Sequence, residues 1–223
     1  MKVNYTNDIL TRDARLKALK TQINPHFLYN TLQTINWRAK ATGDTQTSQI
    51  VESLGTLLRA SLSSEKSLVL LSEELELVDC YITIQRIRFE DRLSFQTDID
   101  PSLANAVLPP LTIQPLVENA IHYGMESMTD ICHVLLEAKQ EGDRLTILVK
   151  NEGSAFEEGL LEKLRDKKIK PNGFGIGLMN IDQRIRLMYG ENCGLTVFNE
   201  NEYAVALITI PFHTEESQTA QET

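Results

Sequence analysis

At 223 residues the chain has room for one large domain or two small ones, and 42% hydrophobic residues are enough to bury a real core. A formal net charge of −9 argues against a nucleic-acid partner, because no basic face exists to displace counterions, and argues weakly against an anionic membrane surface. The three cysteines (Cys80, Cys132, Cys193) and four histidines (His26, His122, His133, His213) lack the spacing of a zinc site or a disulfide framework.

No apolar run reaches the ~18 residues of a membrane span, and no signal peptide precedes the first predicted helix. The abrupt start on a helix fits a piece of a longer protein. From Asp8 to about Ala41 the period is helical: Leu16, Leu19, Ile23, Phe27, Leu28, Leu32 and Ile35 recur at three- and four-residue steps. Within it, Gln22 to Gln33 places His26 and Asn30 at i and i+4 on one face, with Pro25 predicted to kink the helix. Taken alone, the stretch reads most simply as a half-buried core histidine beside a tolerated kink. The alternative is a histidine being presented. Thr42-Gly43-Asp44 breaks the pattern, and Thr45 to Ser63 forms a second helix with Ile50, Leu54, Leu57 and Leu58 on one side. Such a helical hairpin cannot cover its own apolar stripes, so a two-fold dimer closing a four-helix bundle is expected. The domain boundary is placed near Ser64 to Leu71, giving a hairpin region over 1–70, a second domain over 71–213 and a polar, disordered tail over 214–223.

Ser72 is the expected N-cap of the next helix, with Glu73 and Glu74 at its positive end and Leu75, Val78 and Ile82 along its apolar side. From Leu93 the period becomes two, through Phe95, Thr97 and Ile99, until Asp100-Pro101. Leu108 to Gly124 reads as a helix with prolines at its entry. Cys132 to Lys139 and Arg144 to Lys150 read as a hairpin around Glu141-Gly142-Asp143. Glu152 to Asn172 reads as a mobile loop with one short helical piece. Ile176 to Tyr189 is a helix ended by Gly190, and Leu195 to Glu200 with Tyr203 to Pro211 form a second hairpin around Asn201. The order implies an α+β fold: helices packed on a mixed, mainly antiparallel sheet.

Three motifs in the second region could carry chemistry. Glu118 and Asn119 offer hard oxygen ligands suited to Mg²⁺, or simply cover a solvated face; His122, one turn on, could donate to a phosphate or be a surface histidine. Asn151-Glu152-Gly153 ends a strand where Asn151 could accept from an adenine amine, or is a plain turn. Gly173-Phe174-Gly175-Ile176-Gly177-Leu178 opens a helix, where backbone N–H groups and the helix dipole favour phosphate. A flexible helix entry would read the same way. The triplet fits neither a Rossmann fingerprint nor a P-loop.

Together with the histidine stretch these segments resemble the two-component sensor histidine kinases of the LytS/YesM type. Gln22-Ile23-Asn24-Pro25-His26-Phe27-Leu28-Tyr29-Asn30-Thr31-Leu32 is similar to their phospho-acceptor box. Gln114 to Ile121 resembles their asparagine box, and Gly173 to Asn180 followed by Arg184 resembles their glycine box. Glu74 to Arg92 is similar too, and the likeness spans roughly residues 14 to 211. It implies a dimerisation hairpin whose His26 is phosphorylated, and an ATP-binding α/β sandwich of the Bergerat type with a mixed sheet, as in gyrase. It further implies a homodimer, a membrane sensor upstream with this region in the cytoplasm, and a response-regulator partner.

The mechanism so implied is in-line attack by a neutral imidazole on the γ-phosphorus of ATP. Histidine's ordinary pKa of about 6.5 leaves most imidazole neutral at pH 7. Asn119, with Glu118 beside it, would hold Mg²⁺. Gly153, Gly173, Gly175, Gly177, Leu178, Asn180 and His122 would line the nucleotide, with Lys163, Lys167 and Lys168 adding charge. Phe27 stands where many histidine kinases have an acid, which leaves Asn30 to orient the imidazole or a water. Three departures matter. The usual Asp-Asn-Gly is Asn151-Glu152-Gly153, which removes a charge from the base acceptor at a cost of about 1–2 kcal/mol. Ala155 replaces a second glycine, and His122-Tyr123-Gly124 stands for Lys-His-Gly. Two rivals follow: a pseudokinase acting as a dimeric interaction module, and a water-using ATPase with Glu118 as base.

Overall fold

The computed structural model describes residues 24–63, 66–166 and 174–214. The chain divides into two compact units, Met1–Ser63 and Ser64–Thr223.

The described part of the first unit is a hairpin of α1 (Pro25–Thr42) and α2 (Thr45–Ser63). Asn24 caps α1, its side chain accepting from the Phe27 N–H at 3.2 Å. Pro25 therefore occupies the first helical position, where its missing N–H is no loss and its fixed φ is already helical. The expected mid-helix kink is corrected to a helix start; the helix expected from Asp8 to Ile23 lies outside the described residues. Gly43 ends α1 at φ 73°, a left-handed turn that glycine adopts without strain. Asp44 then caps α2 by accepting from the Thr47 N–H at 3.0 Å. Between the helices Ser48 donates to Asn36 at 2.6 Å, and Asn36 and Lys40 both reach Glu52. Phe27, Ile35, Trp37 and Leu54 stay exposed.

The second unit is built on a five-stranded sheet in the order β2-β4-β5-β7-β6, where β2 is Leu93–Ile99, β4 Cys132–Glu141, β5 Arg144–Glu152, β6 Gly194–Glu200 and β7 Tyr203–Pro211. Only β2–β4 is parallel, so the expected mixed, mainly antiparallel sheet is present. Both hairpins close with two-residue turns, and the left-handed φ of Gly142 (65°) and Asn201 (54°) suits the twist of the flanking strands. Alternate residues on the central strands point one way: Val134, Leu136 and Ala138; Leu145, Ile147 and Val149; Ala206, Ile208 and Ile210. All are buried. That face packs on α3 (Leu71–Phe89), α4 (Gln114–Ser127) and α6 (Phe174–Tyr189), giving a two-layer sandwich. The six-residue α5 (Leu160–Arg165) leans on α6 and β6.

Two expected boundaries are corrected. Leu70, not Ser72, caps α3: Leu71 is fully buried, so the helix starts with its apolar side already docked, and Glu73 reaches back to the Leu70 N–H at 2.9 Å. The helix expected from Leu108 begins only at Gln114. Val107–Leu108 is instead a short strand, β3, paired antiparallel with β1 (Val69–Leu70), and Pro109-Pro110 lie in the turn between. The expected polar tail beyond Thr214 and the loop residues 167–173 lie outside the described residues.

Candidate functional site

α4 sits against the end of β5 because Gly124 lets it. A Cβ at Gly124 would lie 2.5 Å from the Cys132 Sγ, 3.2 Å from the Glu152 carbonyl oxygen and 3.3 Å from the Asn151 Nδ2. Asn119 lies five residues earlier, about 7–8 Å along the helix axis. It is 4% exposed, and its Oδ1 is buried with no hydrogen-bond partner. An unpaired buried acceptor costs about 1–3 kcal/mol, which makes Asn119 Oδ1 a candidate position for a further group. A hard carbonyl oxygen fits Mg²⁺. Glu118, half-buried beside it, accepts from Gln114 Nε2 at 3.3 Å; burial pushes its carboxyl up, and Gln114 and His122 only partly offset this. His122 turns toward Glu126, with Nε2 to Oε1 3.3 Å, and packs edge-on to Tyr123.

Asn151, next to last on β5, lies opposite Val134 on one side and Ala204 on the other, and is 4% exposed. Its Nδ2 donates to the Glu152 carbonyl at 2.9 Å and to Ser154 Oγ at 2.7 Å. Gly153 follows at φ 80°, where a Cβ would come within 2.3 Å of the Met128 Cγ, so this turn requires glycine twice over. On α6, which packs against α4, a Cβ at Gly177 would meet nothing within 4 Å. Leu178 is buried, while Asn180 lines an open groove of about 410 Å³ with Gln183, Arg184, Leu187 and Met188. Gly175 lies in the first turn of α6, and Gly173 lies outside the described residues, as do Lys167 and Lys168. Lys163 pairs with Glu157.

The structure thus brings Glu118, Asn119 and His122 together on α4, Asn151 and Gly153 to the adjoining strand end, and Gly175, Gly177, Leu178 and Asn180 to α6. His26 and Asn30 meet on α1 in the other unit. Both are exposed, with Asn30 Nδ2 3.2 Å from His26 Nδ1 and 3.5 Å from Nε2.

Sequence reasoning missed two further anchors. Glu73 and Glu74 were both expected at the positive end of the helix; Glu74 is in addition 1% exposed and serves as a buried anchor. Its carboxylate accepts from the N–H groups of Leu111 (2.5 Å), Thr112 and Ile113 (both 2.8 Å), the three residues just ahead of α4. Burial pushes this carboxyl up, and the three N–H groups and Arg184 restrain the rise. Arg184 holds the same segment from α6, donating to the Leu111 carbonyl at 3.0 Å and Thr112 Oγ1 at 3.2 Å. Leu111 has φ 54°, a conformation that a non-glycine residue keeps only when its surroundings over-determine it. The signal was present: Glu74 falls on the same helical stripe as Leu71, Val78 and Ile82. The second anchor is Asp182 on α6, 1% exposed. It accepts from Arg165 Nε at 2.8 Å, Arg165 Nη2 at 2.9 Å, Arg186 Nε at 3.1 Å and the Leu195 N–H at 3.0 Å. Burial works to raise its carboxyl, but these donors outweigh it and hold the group below the usual carboxylate range.

Comparison with known proteins points one way. The profile of the histidine kinase family matches residues 14–93. Sensor histidine kinase YesM of Bacillus subtilis is 44% identical over 216 residues, 96% of this chain and 36% of that protein. Sensor protein LytS of Oceanobacillus iheyensis is 33% identical over 207 residues, 91% of this chain and 35% of that protein. The chain therefore spans about a third of the length of the curated relatives it matches. Among solved structures, the catalytic domain of histidine kinase ThkA aligns with a TM-score of 0.51 at 18% identity, covering 65% of this chain and 95% of that one, which bears on the fold alone. Among the described residues no helix is long and apolar enough to cross a membrane. With the family profile and the two curated relatives in agreement, this stretch of chain belongs to the sensor histidine kinases, in the group that holds YesM and LytS.

Proposed function

We propose that the chain is an ATP-dependent autokinase that phosphorylates His26 and passes the phosphoryl group to an aspartate of a response regulator. The observation that carries the reading is the buried, unpartnered Oδ1 of Asn119, on a helix adjoining the Asn151 strand end and the glycine-rich start of α6. Asn119, with Glu118 next to it, would hold Mg²⁺, which when bound neutralises phosphate charge. Gly177 leaves room for phosphates beside α6, with Gly175 in the same first turn, and Asn151 meets the base through Oδ1. His26 supplies the nucleophile: a ring nitrogen lone pair forms the N–P bond as the bond from γ-phosphorus to the ADP oxygen breaks. Asn30 positions that ring. Its Nδ2 lies 3.2 Å from Nδ1 and 3.5 Å from Nε2, so the amide meets the ring through its NH₂ group. The family membership supports a homodimer built on the hairpin, and the exposed Phe27, Ile35, Trp37 and Leu54 supply apolar surface for it. A membrane-bound sensor would occupy the remaining length of the full protein.

Incubation with Mg²⁺ and γ-labelled ATP tests this. The reading expects acid-labile, base-stable label on the protein, lost in His26→Gln. Free phosphate without protein label would instead favour the water-using ATPase, and neither product would favour the pseudokinase.

A further inference from the structure

A phosphoryl group on His26 would bring about two negative charges and three acceptor oxygens onto an exposed helix face. Few charged side chains of the hairpin are in a position to meet it. Lys40 is paired with Glu52 at 2.6 Å, and Asp44 serves as the cap of α2. Arg38 lies further down α1, about 18 Å along the axis from His26. Arg59 of α2 is placed differently. It is exposed, and among the described residues no hydrogen bond or ion pair engages it. Its guanidinium carbon sits over the Tyr29 ring, 5.6 Å from the centroid. Tyr29 follows His26 at i+3, so the two side chains are neighbours on α1, with Cβ atoms about 5–6 Å apart.

Stacking matters here for what it leaves over. A guanidinium laid on an aromatic ring uses its flat face, while its five N–H donors remain in plane as a fork suited to phosphate. The platform is anchored, because the hydroxyl end of Tyr29 is buried. Tyr29, Gly55 and Arg59 border a groove of about 250 Å³ between α1 and α2, and a Cβ at Gly55 would meet nothing within 4 Å, so the guanidinium has open space beside it. Glu52 lines the same groove two turns away, where Asn36 and Lys40 already hold it.

We infer that Arg59 is a phosphoryl-binding residue: Tyr29 holds its guanidinium beside His26, and its unspent N–H fork receives the oxygens of the phosphorylated imidazole. This rests on the reading of His26 as the phosphoryl carrier, but not on the nucleotide site.

The test therefore bypasses the nucleotide. Phosphoramidate phosphorylates exposed imidazoles directly, the ring nitrogen forming the N–P bond as ammonia leaves. In the full chain so treated, the phosphorus resonance missing from His26→Gln belongs to His26, and its position followed against pH reports protonation of the phosphoryl group. A neighbouring cation favours the dianion, so the midpoint in the unaltered protein is expected about half a pH unit below that in Arg59→Gln. Salt at 1 M should close most of that gap, since the pair is exposed. Tyr29→Leu removes the platform and should lose most of the gap, while Arg59→Lys keeps the charge and should retain part of it. Equal midpoints in the unaltered protein and Arg59→Gln, or a gap indifferent to salt, would overturn the inference. Absence of any His26-dependent resonance would overturn it together with the carrier reading. A protein that shows the gap yet takes no label from Mg-ATP would overturn the ATP reading alone.

Discussion

Replacing Gly177 by alanine separates a glycine kept for packing from one kept for a ligand. Gly177 is the fourth residue of α6, and a Cβ there meets no heavy atom within 4 Å. Without ligand the alanine variant should be the more stable protein, by about 0.5–1 kcal/mol, since glycine loses more backbone entropy in a helix. For a chain of this size that is about 1–4 °C in Tm. With nucleotide bound the sign should reverse, because the space that accepts the methyl group is the space proposed for the phosphates. Displacing one charge-assisted phosphate contact costs about 1.5–3 kcal/mol, roughly 10- to 100-fold in affinity. At a nucleotide concentration 100 times the Kd of the unaltered protein, that protein gains about 2.7 kcal/mol, and a variant binding 100-fold more weakly gains about 0.4 kcal/mol. Even a tenfold loss leaves a gain of only about 1.4 kcal/mol, so the two melting orders should cross. Scanning calorimetry of both proteins with and without Mg-ADP measures it. A variant less stable without ligand would show that the space is not open, and one that stays above at saturating nucleotide would remove Gly177 from the phosphate path.

Gly124→Ala should destabilise the fold by about 1–3 kcal/mol, because its methyl group would meet the Cys132 Sγ at 2.5 Å. Adding Cys132→Ala should recover part of that in urea unfolding, but not all, since the Glu152 carbonyl oxygen lies 3.2 Å away. Asp182→Asn should cost about 2–3 kcal/mol at neutral pH by removing the carboxylate that Arg165 and Arg186 share, Arg186 keeping only the exposed Glu191 and both arginines being partly exposed. The folded-state carboxyl is held low, so its contribution is present above the unfolded-state pKa of about 4 and is lost as pH falls through the lower folded value. The difference between Asp182→Asn and the unaltered protein, read from unfolding curves, should therefore shrink only below about pH 4. A difference that instead changed between pH 6 and 8 would assign the effect to another group.

Much of the architecture was legible wherever one period dominated. The alternation through Leu145, Ile147 and Val149 and the left-handed candidates Gly142 and Asn201 specify the two hairpins, and the Thr45 to Ser63 pattern matches α2. It failed where two structures share a composition. Val107-Leu108 before Pro109-Pro110 looks like an apolar helix entry, yet pairing with Val69-Leu70 makes it a strand. Pro25 looked like a kink because the apolar period runs through it, whereas the cap by Asn24 is a local hydrogen bond that periodicity does not register. The candidate site was legible as residue types but not as contacts. Asn151, Asn119 and the glycines announce themselves, while the meeting of Gly124 with Cys132, or of Glu74 with residues 111–113, depends on packing between elements distant in sequence. An acidic residue in a first helical turn is ordinarily solvated, so Glu74 carried its signal only through its place on an apolar stripe.

A helix start is the ordinary landing place for an anion. At α4 that place is filled from within, by a carboxylate of α3 to which three successive amides already point. A triphosphate arriving at the proposed site would find the N–H groups of Leu111, Thr112 and Ile113 already taken. α4 can touch it only along its flank, through Asn119 and its neighbours, and the end-on reception of phosphate is left to α6. By plugging one socket with its own acid, the fold leaves α6 as the helix start against which the proposed nucleotide would enter.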